Sequence, residues 1–437
     1  MTSAASKPGA PRLHVLVSAY ACGPGAGPEA GAGWAFATAA AVHHDVVVVT
    51  RTRFRDAIEQ RRASDTELAA HLTVEYLDLP PRVMALKRRG VDLYWYYAAW
   101  QHLLAQRARA LHARHPFDVV HHVTFANDWM PCCAAEVRGP GFVWGPVGGA
   151  SRVPLRTVGR WLGVRGYVTE LVRVVTTGLP RRIWGDRAAR RAALVVAQND
   201  DVAQRFREFG PVVVEPNAAL TELPARAQTR QGHVVVFTAR LLAWKGGRLA
   251  VAALAQPPLA DWRLDVYGTG YEEAAMRRMA RRLGVEGRVR FLGERPRAEV
   301  LDAFAHADAL LFPSMHDQAG WVAAEASAIG CPVVCLPLGG PPLLAARNAR
   351  VVPVEGDLVA NLALEVSRAA RLPGVAHHTW DAGRLPDLLQ RWYDDVARNG
   401  SVARHRDGDG GPRPARSDVA SDVPPVGQQL AEDDRHG

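Results

Sequence analysis

Short runs of β-branched and aliphatic residues recur along this chain, separated by longer stretches whose apolar positions follow a helical period. In the first half the short runs are Leu13–Ser18, Asp45–Thr50, Val74–Leu79, Asp118–Asp128, Gly141–Gly149, Leu194–Gln198 and Val212–Glu215. In the second half they are Val234–Thr238, Arg263–Tyr267, Arg288–Leu292, Ala309–Phe312 and Val333–Leu336. Helical stretches are predicted at Trp34–Val42, Lys87–His115, Glu299–Ala305, the Ala-rich segment after Gly320, Ala360–Ala370 and Asp387–Ala397. Strands alternating with helices in this way predict parallel sheets with crossover helices, that is, an α/β fold. Periodicity is lost after Pro216-Asn217-Ala218, over the polar stretch Thr221–Gly232. The expected organisation is therefore a first domain over 12–217, a linker over 218–230 and a second domain over 231–378. A closing helical segment follows over 379–399. From residue 400 to 437 Gly, Pro, Asp, Arg and Ser dominate, which predicts a disordered tail. A chain of 437 residues exceeds the size at which single cores divide, so two domains agree with its length.

Candidate chemistry lies in the loops after the strands, where open parallel sheets bind their ligands. The stretch Ser314–Glu325 follows one buried run and leads into a helix, with Asp317 in the loop and Glu325 eight residues on. Gly320 admits close backbone approach, and the helix start offers N–H groups to an anion. An acidic side chain there suits the adjacent hydroxyls of a ribose or hexose; the competing reading is an ordinary βαβ unit. Arg240 and Lys245 flank a turn at another helix start, an arrangement suited to a diphosphate. Gly268-Thr269-Gly270 and Gly293 end two further strands. In the first half, Ala21–Gly33 reads as a glycine-rich loop, and His121 or His122 is a candidate for orienting a sugar hydroxyl or else a satisfied core histidine. The loop is longer than the compact dinucleotide fingerprint, and no acid ends the second strand to hold a ribose. A nicotinamide cofactor is therefore not expected.

Composition narrows the classes. Hydrophobic residues make up 48% of the chain, enough for packed cores, and the formal net charge is +9. Such a charge favours anionic partners: nucleotide phosphates, an acidic acceptor or a membrane surface. The segment Lys87–His115 interleaves basic residues with Tyr94, Trp95, Tyr96, Tyr97 and Trp100, and Arg152–Arg191 is arginine-rich with only Glu170 and Asp186 acidic. Either segment fits a lipid surface or an acceptor, and equally a helix packed on the sheet with arginines in water. Five cysteines, an odd number with one adjacent pair and no CxxC, predict reduced thiols and a cytoplasmic protein. Met1–Pro11 shows no signal-peptide pattern. The longest apolar stretch, Trp34–Val49, is broken by His43-His44-Asp45. No metal site and no nucleic-acid partner is expected.

The motifs, taken in order, resemble the family 4 glycosyltransferases of the GT-B type. They are the first-strand glycine loop, Asp118-Val-Val-His121, Pro216-Asn217 near the hinge, Arg240-Leu-x-x-x-Lys245-Gly, Gly268-Thr-Gly270, Val289-Arg-Phe-Leu-Gly293, Pro313-Ser314, the two acids Asp317 and Glu325, Gly330-Cys-Pro-Val-Val334 and Gly339-Gly-Pro-Pro342. The resemblance covers residues 12–399. It implies two Rossmann-like, doubly wound domains facing a cleft, with the Trp380 segment crossing back to the first domain. It implies that Arg240 and Lys245 hold the donor diphosphate, that Glu325 holds the donor ribose, and that Asp317 contacts donor-sugar hydroxyls where the family usually has Glu. Gly268, Gly270, Gly293 and Gly320 would line the donor site. His121 matches the first histidine of a His-x-His pattern whose second is Val123 here. Pro-Asn-Ala replaces Pro-Asn-Gly, and Leu343 and Leu344 stand where a Glu often follows Gly-Gly-Pro-Pro.

The resemblance implies retaining transfer from a UDP- or GDP-sugar; Arg240, Lys245 and the helix start, with no paired Asp-x-Asp in a suitable loop, add the expectation that no metal or cofactor takes part. The acceptor is left open among a lipid-linked glycan, a polysaccharide and a secondary metabolite, and the basic segments leave open a peripheral contact of this cytoplasmic protein with the inner face of an anionic membrane. Two alternatives share the fold: a nucleotide-sugar 2-epimerase-like enzyme and a non-catalytic nucleotide-sugar-binding protein.

Overall fold

The computed structural model describes residues 11–88, 92–228, 232–371 and 374–408. The apolar runs form two sheets. The first contains β1 (His14–Ala19), β2 (Asp45–Thr50), β3 (Leu72–Tyr76), β4 (Val119–Thr124), β5 (Gly141–Val147), β6 (Leu194–Ala197) and β7 (Val212–Val214), in the order β3-β2-β1-β4-β5-β6-β7. The second contains β8 (Val234–Thr238), β9 (Arg263–Tyr267), β10 (Val289–Gly293), β11 (Ala309–Phe312), β12 (Val333–Cys335) and β13 (Ala349–Val351), in the order β10-β9-β8-β11-β12-β13. The pairings are parallel. Each sheet reverses its winding once, between β1 and β4 in the first and between β8 and β11 in the second. At such a reversal neighbouring loops diverge to opposite faces and open a crevice. The expected two doubly wound α/β lobes are what the chain forms.

Near-continuous Val and Leu in the central strands follow from burial on both faces. Val15, Leu16 and Val17 of β1 and Val235, Val236 and Phe237 of β8 are each at most 1% exposed. The chain passes between lobes twice, at 218–220 and 380–382, and the two passes are bonded. Leu220 N–H donates to the Trp380 carbonyl and Ala382 N–H to the Leu220 carbonyl, both at 2.8 Å. Arg384 ion-pairs with Glu215 and donates to the Ala218 carbonyl at 2.7 Å, pinning the same crossing. The final helix, Leu385–Gly408, buries Leu385, Leu389, Trp392 and Tyr393 among first-lobe residues that include Val17, Val119 and Val143.

Three expectations need correction. The segment Ala21–Gly33 is not all loop, because a helix spans Pro28–His43 with Pro28 at its start and Glu29 in its first turn. Position 33 is glycine within this helix because a Cβ there would collide with the Ala21 carbonyl oxygen, so packing outweighs the poor helix propensity of glycine. The third strand lies earlier than Val74–Leu79, since the chain leaves the sheet after Tyr76 and Asp78 turns to pair with Arg51 at 2.8 Å. The tail expected from 400 is helical through Gly408, in a stretch containing the good helix formers Ala403, Arg404 and Arg406. The rest of that expectation lies outside the described residues.

Candidate active site

The second lobe's crevice is built by the loops after β8 and β11. After β8 the chain runs through Arg240 to a single 3-10 turn, Ala243–Lys245, and Gly246 then adopts φ +79°. Only glycine fits there: a Cβ would collide with the Pro313 carbonyl oxygen of the β11 loop. The two loops are also joined by Met315 N–H donating to the Trp244 carbonyl at 2.7 Å. This contact brings Lys245 onto Asp317, and the two form an ion pair with side chains 15% and 16% exposed. Arg240 is exposed, and its guanidinium makes no hydrogen bond or ion pair among the described residues. The crevice thus presents one paired and one unpaired cation.

The four singled-out glycines lie at the same edge of the sheet. Gly268 and Gly270 follow β9 and pack on the carbonyls of Ala239 and Leu241, and Leu241 N–H donates to Thr269 O at 2.8 Å. Gly293 ends β10, and its carbonyl accepts from Gly268 N–H at 2.7 Å. Gly320 begins the helix Trp321–Ile329. Glu325 sits in that helix, 8% exposed, and accepts from Arg297 Nε at 2.7 Å. Burial raises its pKa, and Arg297 opposes the shift. A carboxylate so placed holds a hydrogen-bond donor firmly and has a partner already.

The β11 loop is gripped from the first lobe. Gly149 N–H donates to Gln318 Oε1 at 2.6 Å, and Asn199 Nδ2 donates to the Gln318 carbonyl at 2.8 Å. Arg173 Nη2 donates to His316 Nδ1 at 2.9 Å. Burial, then the charges of Arg173, Lys245 and Arg181, push the His316 pKa down to about 3, so the ring is neutral and can accept. Behind Arg173, Arg181 pairs with the buried Asp128 at 3.0 Å and donates to the Gly149 carbonyl at 2.5 Å. A second bridge starts at Glu29, which accepts from Phe125 N–H at 2.7 Å and from Asn217 Nδ2 at 3.4 Å. Trp321 Nε1 in turn donates to Asn217 Oδ1 at 2.9 Å. Phe125, just past β4, holds φ +56°, a conformation a bulky residue keeps only when its surroundings impose it. Burial raises the Glu29 pKa.

Sequence reasoning did not find Gln318, Asn199, Arg173 or Glu29. Gln318 stands beside Asp317 in the stretch that was singled out, but its partners are 169 and 119 residues away. No local pattern carries such pairings.

The histidine expectation is corrected by the geometry. His121 and His122 are fully buried within β4, and both nitrogens of each ring are used. His121 bonds the Tyr393 hydroxyl at 2.7 Å and the Gly145 carbonyl at 2.8 Å. His122 bonds Ser18 Oγ at 2.9 Å and the Tyr97 hydroxyl at 3.0 Å. Burial lowers their pKa values to about 4 and about 3. They are core histidines, because successive residues of a central strand face opposite covered sides of the sheet. Of the aromatic segment, Tyr96, Tyr97 and Trp100 are fully buried, while Tyr94 and Trp95 are 51% and 38% exposed.

Among the described residues no three His, Cys, Asp or Glu side chains cluster as a metal site would need, and the five cysteines form no disulfide. No helix among them is long and apolar enough to cross a membrane. An open hollow of about 440 Å³ lined by Asp265, Tyr267, Glu299 and Asp302 contains none of the candidate residues and is acidic, which is unsuited to a diphosphate.

Two facing α/β lobes, each winding outward from one reversal point, with loops meeting across a cleft, define a GT-B architecture. Solved structures of that shape include sucrose-phosphate synthase from Thermosynechococcus elongatus, with TM-score 0.58, 16% identity and coverage of 88% of this chain and 99% of that one. Another is Anabaena HepE in complex with UDP, with TM-score 0.54, 19% identity and coverage of 88% and 100%. Residues 223–377 match the family model "Glycosyl transferases group 1". Curated relatives include a D-inositol 3-phosphate glycosyltransferase of Corynebacterium glutamicum, 35% identical over 187 residues, which are 39% of this chain and 45% of that protein. A 2-deoxystreptamine glucosyltransferase of Streptomyces kanamyceticus is 33% identical over 163 residues, 34% and 41% of the two chains. The chain spans less than half the length of these relatives. Residues 223–377 thus resemble the group 1 glycosyltransferases, and the two-lobed fold around them is the GT-B fold.

Proposed function

We propose that this protein transfers a sugar from a UDP- or GDP-sugar to an acceptor hydroxyl, with retention of anomeric configuration and without a bound metal. The observation that carries the reading is the pair Arg240 and Lys245 at the β8/β11 crevice of a segment matching the glycosyltransferase family. The acceptor oxygen bonds to the anomeric carbon as that carbon's bond to the diphosphate breaks. The acceptor's proton ends on the departing diphosphate, where negative charge accumulates. Arg240, Lys245 and the start of the Trp321–Ile329 helix supply positive charge there, and charge placed in advance costs no reorganisation during reaction. A diphosphate that takes Lys245 must share it with Asp317. Asp317 is thereby placed beside the leaving group, in a position to accept from donor-sugar hydroxyls. Glu325 holds the ribose in this reading, sharing its carboxylate with Arg297. The acceptor enters from the first-lobe side, past Gly149 and Glu29 rather than past the buried histidines.

The test is a panel of nucleotide sugars incubated with candidate acceptors and EDTA, read by free nucleotide and by the anomeric signal of the first product. Acceptor-dependent nucleotide release with retained configuration supports the proposal. Turnover of the nucleotide sugar without any acceptor would indicate a 2-epimerase-like enzyme. Tight nucleotide binding with no turnover would indicate a sensor.

A further inference from the structure

The helix Gly163–Pro180 is inside out. Its buried positions are Gly166, Glu170 and Thr177, with Arg173 half-buried beside them, so the face turned to the protein is polar. That face makes the Arg173 bond to His316 described above. The outward face is apolar. Val164, Val168, Leu171, Val172, Val175 and Leu179 are 84%, 51%, 50%, 53%, 72% and 66% exposed. At 100° per residue these six fall within an arc of about a quarter to a third of the helix circumference. The next turn, Arg181–Gly185, extends the strip with Ile183 and Trp184, 51% and 40% exposed.

A continuous strip of this kind is not the scattered apolar exposure of an ordinary surface. The segment that carries it is cationic: Arg152, Arg156, Arg160, Arg165 and Arg182 are exposed. Across residues 152–185 the one carboxylate is Glu170, which is 1% exposed and paired with Arg173. The segment itself therefore contributes no exposed acid to offset its arginines. An isologous contact with a second copy would set arginine against arginine. An anionic lipid surface offers the complement to both features, acyl chain for the strip and headgroup charge for the arginines.

We propose that the outward face of Gly163–Pro180 seats in the interface of an anionic bilayer, with the polar inner face of the same helix gripping the β11 loop. Docking and cleft geometry are then coupled through one rigid element, Arg173 joining the seated helix to His316.

The test uses the full chain and co-sedimentation with vesicles of phosphatidylcholine, with and without phosphatidylglycerol. The wild type should partition onto the phosphatidylglycerol-containing vesicles, and less as salt rises. The variant Val168→Gln/Leu171→Gln/Val175→Gln should bind at least about tenfold more weakly at unchanged melting temperature, because the three side chains are exposed. Arg156→Gln/Arg160→Gln should lose mainly the part that depends on phosphatidylglycerol. The proposal is overturned if the wild type stays in solution with both vesicle types, or if the triple variant binds as well as the wild type. It is also overturned if the wild type is a dimer that ignores vesicles and the triple variant is a monomer, since the strip is then a protein interface.

Discussion

Gly149 of the first lobe donates its amide N–H to Gln318 Oε1 of the second at 2.6 Å, next to the residue that pairs with Lys245. The loop carrying Asp317 is thus held by both lobes, and the side chain that holds it is neutral. Gln318→Ala removes this bond and leaves that of Asn199, which goes to the Gln318 carbonyl. The loss should be about 1 kcal/mol of stability, seen as a lower melting temperature. Donor KM should rise because the loop is less well placed. An unchanged melting temperature and KM would show that the lobes do not depend on this contact.

Lys245 and Asp317 should couple energetically. Both side chains are mostly buried, so removing one leaves the other's charge poorly compensated. Lys245→Met and Asp317→Asn should each destabilise, and the double variant should be more stable than the sum predicts by at least about 0.5 kcal/mol. Strict additivity in denaturant melts would show that the pair contributes nothing beyond its separate members.

The pKa of His316 is held down to about 3 from an ordinary 6.5. The unfolded chain therefore binds a proton that the folded chain refuses between those two values. This contribution is fully present above about 6.5 and is lost as pH falls toward about 3. Burial raises Glu29, Glu170 and Glu325, and they work in the opposite sense. The clean measurement is a difference: His316→Gln should take up about one proton fewer on unfolding near pH 5, giving a shallower fall of stability with acid. Parallel curves for variant and wild type would show that the ring is not held neutral.

Much of this was readable from local chemistry. The valine runs of β1, β2 and β8 read as strands because they are covered on both faces, and Gly246 and Gly320 mark turns at positive φ that favour glycine. What was not readable depended on distance. Pro28 and Glu29 do start a helix, but Gly31 and Gly33 obscured it, and only the Ala21 carbonyl packed against Gly33 explains the choice. His121 and His122 were ambiguous because a strand end that meets ligand and a strand middle that meets core share one local sequence. Tyr393, which bonds His121, is 272 residues away. The Gly163–Pro180 helix was read only as arginine-rich, since its apolar face points outward and its polar face inward.

In the proposed reaction Arg240, Lys245 and a helix start meet the charge on the leaving diphosphate, so catalysis should persist in excess EDTA. Activity abolished by EDTA and restored by manganese would contradict this part of the proposal.

The central claim is that the donor's diphosphate sits at the β8/β11 crevice on Arg240 and Lys245. Calorimetric titration of UDP and of GDP into wild type, Arg240→Ala and Lys245→Ala measures it directly. Each substitution should remove about 1.5–3 kcal/mol of binding to the preferred nucleotide, about a tenfold to hundredfold loss, with the melting temperature of Arg240→Ala unchanged because that side chain is exposed. Affinity for both nucleotides equal to wild type in both variants would contradict the claim.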